Sequence, residues 1–577
     1  MVSIVRSVKH EQLSKRICRR SSFALVLVEL CFVLLAIRLF CIQCVNGEKL
    51  KAEAEKYHRK IVSVQPRRGA IYDRNHIPLA ISTKSYSLFG DPQAIKEPES
   101  VALSLSSIIE IPKEDICRKL ERNTRFVWLK RQLSDSKVDK IRLMNIEGIS
   151  FREEGRRFYP QKELASQTIG FVGIDNFGLE GIEKKYDAYM RRATSEFSTK
   201  KDRKGHDIEP NKYDKPAPGY DLILTLDTVI QDIAERKLQS ACEQWQAKGG
   251  SVIVMNPTNG EILAIANYPT YDLNKAFNVD NDCKRNRALI DLFEPGSTFK
   301  VITASAAINE NVISPNDVIN CENGIYNMGK FVIHDTKNYE QLTFKEVIEE
   351  SSNIGTVKIA KLLGSKKLYD YIKAFGLGDK TGIDTLESNG FIRNIDQWTE
   401  RSMGAVPYGQ EISVTALQML CAINAIANDG VIMRPFIVKK VVDGQETILE
   451  NTPKVSKTPI SARTAKIMKN ILRGVVENGT GQSAKIDGYN VAGKTGTSQK
   501  ASDDGKGYIP GKYTSSFVGF LPADKPVISI IVVIDEPQGQ YYGGIVASPV
   551  FKEIATQIMQ YLTIGQGVCI AKVNSTT

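Results

Sequence analysis

Hydrophobic positions are unevenly spread along the chain, and their spacing changes character several times. Residues 23–45, Phe-Ala-Leu-Val-Leu-Val-Glu-Leu-Cys-Phe-Val-Leu-Leu-Ala-Ile-Arg-Leu-Phe-Cys-Ile-Gln-Cys-Val, form an apolar run long enough to cross a bilayer. A cleavable signal peptide would carry a shorter run and an Ala-x-Ala-like site after it; neither is found, and no nearby cysteine follows a small residue as a lipoprotein site requires. A short polar helix pattern follows from Gly47 to Lys60, and Ile61 to Ala80 then alternates like strands around turns. Residues 81–215 mix short strands and helices with many charges, and Lys215-Pro-Ala-Pro-Gly219 reads as a linker.

Beyond that point the pattern predicts a second, larger domain. Asp221 to Leu226 reads as a strand, Asp227 as a helix cap, and Ile230, Ile233, Ala234 and Leu238 fall on one helical stripe. Ser251–Met255 and Glu261–Ala266 flank Pro-Thr-Asn-Gly, a hairpin signal. Val301 to Ile308 predicts a buried helix, and helices continue to about residue 428, one of them holding Ser351. Strand-like runs return at Ser516–Phe520 and Val527–Ile534, and Pro549 to Leu562 predicts a closing helix. Strands at both ends and helices between predict an α+β fold: one antiparallel sheet, its N- and C-terminal strands side by side, covered by helices. No repeat or low-complexity tract is evident.

The length, 577 residues, suffices for several domains, and the 42% hydrophobic content is ordinary for a globular protein. The net charge of +11 is modest, but residues 1–22 hold six Lys or Arg and a single acid, Glu11. That imbalance predicts a cytoplasmic N-terminus, a single-pass anchor and an external remainder. No basic stripe with interleaved aromatics occurs, which argues against a nucleic-acid partner. Inside the span, Glu29 and Arg38 lie nine residues apart, on opposite faces. Two readings stay open: Arg38 snorkels and Glu29 is protonated, or Glu29 faces a partner helix. Ten cysteines show no metal-like pairing; Cys41-x-x-Cys44 stands alone, and the six cysteines outside the span (117, 242, 283, 321, 421, 569) cannot be paired from sequence. The five histidines have no ligand spacing, and no metal or cofactor is expected.

Three short motifs carry the candidate chemistry. In Phe293-Glu-Pro-Gly-Ser-Thr-Phe-Lys300, a Pro-Gly turn precedes Ser297, and three-residue spacing can bring the Ser297 hydroxyl to the Lys300 amine on one helix face. A lysine in an apolar site has a lowered pKa and can take a serine proton at neutral pH. Ser351-Ser-Asn353 follows 54 residues after Ser297, and Lys494-Thr-Gly-Thr497 comes much later. One Ser-x-x-Lys means little, since a capping serine and an unrelated lysine produce it by chance. Three motifs in this order form the signature of β-lactamases and penicillin-binding proteins.

Taken over nearly its whole length, the chain resembles the class B penicillin-binding proteins, and among them the cell-division (septal, FtsI-like) transpeptidases. Besides the three motifs, Arg68-Gly-x-Ile-x-Asp-Arg74, Gly178-Leu-Glu-Gly-Ile-Glu183, Asn286-Arg-Ala and Tyr541-Tyr-Gly-Gly544 resemble family segments. The elongation-type relative is the alternative; the first domain lacks a long insertion, and Gly507-Tyr-Ile-Pro-Gly-Lys-Tyr513 runs on into the sheet, which favours the division type. The resemblance implies a cytoplasmic tail (1–22), a transmembrane helix (23–45), a pedestal domain of the dimerisation type (46–219), a transpeptidase domain (220–565) and a tail (566–577). It also implies peptidoglycan stem peptides as substrates, β-lactams as inhibitors, and an FtsW-type glycan polymerase and divisome proteins as partners. Ser297 would be the nucleophile, Lys300 its base, Ser351 a proton relay and Asn353 a clamp on the lysine and the substrate amide. Lys494, Thr495 and Thr497 would bind substrate, Gly496 would leave room for substrate backbone, and the backbone N–H groups of Ser297 and Thr497 would form the oxyanion hole. A β-lactamase would need a dedicated deacylating base, and none can be placed; an inactive division scaffold is the rival from another functional class.

Overall fold

The computed structural model describes residues 2–51, 59–64, 66–192, 195–200, 217–329, 331–502 and 507–574. They fall into two compact units, Met1–Pro66 with Ala193–Ala217, and Arg67–Arg192 with Pro218–Thr577. In the first unit a helix runs Val2–Phe40 and continues as a π-helical turn, Cys41–Val45. Within it Ile17–Val45, with mean hydropathy 2.7, is long and apolar enough to cross a membrane. The polar helix after it is described only to residue 51, and Arg59 and Lys60, expected in that helix, instead open the strand Arg59–Val64. That strand pairs antiparallel with Ser195–Lys200, whose partner row could not be foreseen from local pattern.

In the second unit, the long strand Pro78–Gly90 organises the pedestal. Ile71–Tyr72, Val127–Leu133 and Ile149–Phe158 all pair antiparallel with that strand. Leu88, Leu105, Ile109, Ile116, Leu129 and Ile141 form a core beneath the strands with the helices Pro98–Ile109, Lys113–Leu120 and Asp135–Leu143. The Arg68–Arg74 and Gly178–Glu183 segments meet in a buried ion cluster. The Glu183 carboxylate, fully buried, accepts from Arg68 Nε (2.7 Å) and Arg157 Nε (2.6 Å), while Arg68 also donates to Asp187. These are structural ion pairs. Removing one partner of such a cluster strands a buried charge, so Glu183→Ala is expected to cost about 3–5 kcal/mol, read by denaturant unfolding.

The pedestal and the larger domain share a sheet. Ile71–Tyr72 pairs in parallel with Asp221–Leu224, which pairs antiparallel with Val438–Asp443 and, through it, Glu446–Glu450. Ala217, Pro218 and Gly219, read as the end of a linker, are the described part of that stretch, and Gly219 is packed hard. Its N–H donates to Arg67 O (2.8 Å), and a Cβ there would fall 1.7 Å from Met190 O.

The main sheet has five antiparallel strands in the order Ala492–Ala501, Tyr508–Leu521, Ile528–Asp535, Gly249–Met255 and Ile262–Tyr268. C-terminal strands thus lie beside N-terminal ones, as the α+β reading predicts. Asp227 caps Thr228–Gln244 by accepting from Val229 N and Ile230 N, and the stripe Ile230, Ile233, Ala234, Leu238 is buried. The closing helix covers the same sheet face but runs Ser548–Asn574, well past Leu562. On the opposite face the buried helices Lys300–Asn309 and Ala416–Ala427 belong to the largest core cluster. The site lies where the start of Lys300–Asn309 and the Ser351–Asn353 segment meet Lys494 of the edge strand Ala492–Ala501.

Candidate active site

Pro295 and Gly296 bend the chain into a single 3₁₀ turn, Gly296–Phe299, from which the helix Lys300–Asn309 continues. Gly296 has φ 54°, a left-handed conformation that favours glycine. A Cβ on Gly296 would sit 2.7 Å from Thr497 O, and one on Gly409 would sit 2.3 Å from Gly296 O. Two backbone segments, those of Thr497 and Gly409, therefore close on the turn that carries Ser297. Glu294, just before it, accepts from Glu411 N (2.9 Å) and from the Tyr508 hydroxyl (3.0 Å), tying the turn to the neighbouring loop and strand.

Ser297 is half-buried at the surface of this turn, whereas Lys300 is fully buried. The expected direct contact between them is not formed: among the described residues no hydrogen bond joins the Ser297 hydroxyl to the amine. Lys300 Nζ donates instead to Ser351 O (2.5 Å), Ser351 Oγ (3.2 Å) and Asn353 Oδ1 (2.7 Å). Three oxygens of one neighbouring segment lie within hydrogen-bond distance of the amine, which explains its direction.

Ser351 was expected inside a helix and lies between two. The first, Phe344–Glu349, starts at a capping box formed by Thr343 and Glu346; the second, Asn353–Leu363, is capped by Ser352 Oγ, which accepts from Gly355 N (2.9 Å). Ser351 itself has φ 62°, unusual for a residue with a side chain. Such a conformation costs on the order of 1–3 kcal/mol and persists where surrounding contacts hold it. Here the break presents both the carbonyl and the hydroxyl of Ser351 to Lys300, which a continuous helix would not do.

Lys494 approaches from the other side. It is fully buried, and its Nζ donates to Ser351 Oγ (3.0 Å). The Ser351 hydroxyl thus stands between two lysine nitrogens. Burial pushes Lys494 down to about 7. Burial also holds Lys300 well below the usual lysine range, and the positive charge of Lys494 adds to this while Asp335 opposes it.

Thr495 Oγ1 pairs with Thr480 Oγ1 (2.9 Å), and Thr497 Oγ1 accepts from Gly543 N (3.0 Å) of the Tyr541–Gly544 segment. Thr480 has no sequence signal beyond its glycine-flanked loop. At Gly496 the space is taken by the protein itself rather than left free for substrate backbone. A Cβ would meet Ser516 Oγ at 2.3 Å, Thr298 Cγ2 at 2.8 Å and Pro295 O at 3.0 Å, so the strand can approach the Ser297 turn only through glycine. Gly496→Ala is therefore expected to cost about 1–3 kcal/mol by overpacking and to slow acylation about 100-fold by displacing the turn. Thermal melting and labelling kinetics measure the two effects.

Cys117, Cys242, Cys283, Cys321 and Cys421 are free thiols, and the Cys569 side chain lies outside the described residues. Cys321 is buried beside the site, where Ser352 Oγ lies 3.6 Å from its sulfur.

Comparison with known proteins matches residues 250–556 to the penicillin binding protein transpeptidase domain and residues 63–224 to the penicillin-binding protein dimerisation domain. Stage V sporulation protein D of Bacillus subtilis is 32% identical over 553 residues, covering 93% of this chain and 84% of that protein. Peptidoglycan D,D-transpeptidase FtsI of Escherichia coli is 31% identical over 539 residues, covering 91% and 89%. Among solved structures, penicillin binding protein 3 of Mycobacterium tuberculosis, complexed with aztreonam, superposes with a TM-score of 0.68 at 29% identity, covering 87% of this chain and 98% of that one. With its Ser297-bearing turn, its Ser351 junction and its lysine-bearing edge strand embedded in a likeness of that extent, the chain belongs to the class B penicillin-binding proteins, the peptidoglycan D,D-transpeptidases.

Proposed function

We propose that the chain cross-links peptidoglycan stem peptides during septal cell-wall synthesis, with Ser297 as nucleophile and Lys300 as its base. The observation that carries this reading is the convergence of two buried lysines on the Ser351 hydroxyl, beside the turn that presents Ser297. Ser297 Oγ attacks the carbonyl of the penultimate D-Ala as neutral Lys300 Nζ takes its proton. Contacts of this kind are often loose in a free enzyme and tighten when substrate fills the cleft. The oxyanion forms against the N–H groups of Ser297 and Thr497, each donor contributing on the order of 3–4 kcal/mol. The C–N bond then breaks, and the departing D-Ala amine receives a proton through Ser351. Lys494, Thr495 and Thr497 hold the terminal carboxylate, while Asn353 holds Lys300 and the substrate amide. A stem-peptide amine attacks the resulting ester; it gives up a proton to the lysine pair, the C–O bond breaks, and Ser297 regains its hydrogen. A β-lactam would acylate the same oxygen, but its severed nitrogen stays tethered and blocks the second step.

The septal assignment draws on the missing long insertion in the first domain and on the Gly507–Tyr513 continuation, together with the FtsI name of a relative. In this reading residues 1–22 face the cytoplasm, residues 23–45 span the membrane, and the remainder works outside it with an FtsW-type polymerase and divisome proteins. The experiment is to label membranes carrying the full chain with a fluorescent penicillin and map the adduct after digestion. A persistent band with the label on the Ser297 peptide supports transfer; a band that fades within minutes indicates a hydrolase. No band from folded protein would leave the scaffold reading standing.

A further inference from the structure

Asp335 was not singled out by the sequence, and nothing in the chemistry above uses it. It follows the hairpin formed by Ile325–Met328 and Phe331–His334, and its carboxylate reaches the segment that carries Ser351. One oxygen accepts from Asn353 N (2.5 Å) and Ile354 N (3.1 Å), and the other accepts from Ser352 Oγ (2.6 Å). The preceding carbonyl, His334 O, accepts from Asn353 Nδ2 (2.9 Å). With Nδ2 committed there, the amide has only its Oδ1 to turn toward Lys300. The clamp therefore grips the residues on the far side of the left-handed Ser351 and decides which amide atom faces the base.

We propose that Asp335 is a positioning residue for acylation: through Ser352 and Asn353 it holds the segment in the one arrangement that offers Ser351 O, Ser351 Oγ and Asn353 Oδ1 to Lys300. The inference rests on Lys300 being the base for Ser297. A plain helix cap would be the bland alternative, since a carboxylate at a helix start also stabilises the helix. The two differ in what they do to the base. Lys300 faces charge from two elements, Lys494 on the edge strand and Asp335 after the hairpin, and Asp335 alone favours its protonated form. Burial pushes Tyr339 and Cys321 up from their ordinary values, and the Asp335 charge adds to this in both. Loss of that charge therefore makes Lys300 easier to deprotonate and moves the acid limb of acylation to lower pH.

The test measures the second-order rate of acylation by fluorescent penicillin across pH, together with thermal melting, on the full detergent-solubilised chain. Asp335→Asn keeps an oxygen for the cap but removes the charge; it is expected to acylate about tenfold more slowly, with the acid limb moved down and melting little changed. Asp335→Ala is expected to fall about 100-fold, the scale of a misplaced catalytic group. Ser461→Ala removes the cap of Ala462–Glu477 and serves as the comparison, lowering melting temperature without changing the acylation rate. Asp335→Asn acylating at the wild-type rate with an unmoved acid limb overturns the inference, even if Asp335→Ala is too unstable to assay. A wild-type chain that is not acylated overturns the Lys300 reading, and this inference with it.

Discussion

Membranes carrying Ser297→Ala are expected to form no penicillin adduct, while the protein melts where the wild type does. The two halves of this expectation have separate causes. In the proposed reaction alanine removes the attacking atom, while the Ser351 hydroxyl is already engaged by Lys300 and Lys494. In a well-studied serine protease, loss of the nucleophile alone costs about a million-fold. Stability, by contrast, should barely change. Ser297 is half-buried and its hydroxyl makes no hydrogen bond among the described residues, so its removal should stay within about 0.5 kcal/mol. Stoichiometric labelling of the mutant would place the nucleophile elsewhere.

Lys300→Met should produce the second-largest loss, about a thousand-fold or more in acylation, with an opposite signature in stability. Methionine fills similar volume but cannot accept a proton, and general-base contributions of roughly 100- to 10,000-fold are ordinary. In the wild type the rate should rise with pH as Lys300 loses its proton, at a pH well below that of a solvated lysine. Lys494, lowered to about 7, shares the Ser351 hydroxyl with it, so the observed steps belong to the pair. For folding, a lysine with a depressed native pKa binds fewer protons folded than unfolded. Its contribution is therefore present above the unfolded value near 10.4 and is lost as pH falls toward the folded value, at roughly 1.4 kcal/mol per pH unit. Lys300→Met lacks this loss, so its stability relative to wild type should improve as pH is lowered from about 10 into the neutral range. Denaturant titrations at several pH values measure the difference. A difference that does not vary with pH would mean that Lys300 is protonated in the folded protein.

Much of this arrangement can be read along the chain because its signals are local. Val527–Ile534 and Ser251–Met255 announce strands by composition, Asp227 announces a helix start, and the Pro-Gly pair announces the turn before Ser297. What escapes notice depends on residues far apart in sequence. The left-handed Ser351 follows from oxygens being drawn to Lys300, and an amphipathic stretch around it reads as one helix. Gly496 looks like room for a ligand until Thr298 and Pro295 are seen to fill that room. The direction of Lys300 follows in the same way: three-residue spacing permits a contact with Ser297, but three better acceptors lie on another segment. Gly219 illustrates the limit of composition, since a Pro-Gly-rich stretch that suggests slack ends in one of the tightest backbone approaches in the protein.

The strand pairing of Ile71–Tyr72 with Asp221–Leu224 bears on any attempt to produce the catalytic half alone. A fragment beginning at residue 220 would keep Asp221–Leu224 but strip its outer neighbour, leaving an open row of backbone donors and acceptors on an apolar strand whose Leu222 and Leu224 are fully buried in the whole chain. Bare edges of that kind recruit other chains. Such a fragment is therefore expected to self-associate on purification, whereas one beginning at residue 59 keeps that cover and leaves Ser195–Lys200 its partner strand. For crystallography or inhibitor screening, the useful unit to clone is the one that keeps the pedestal.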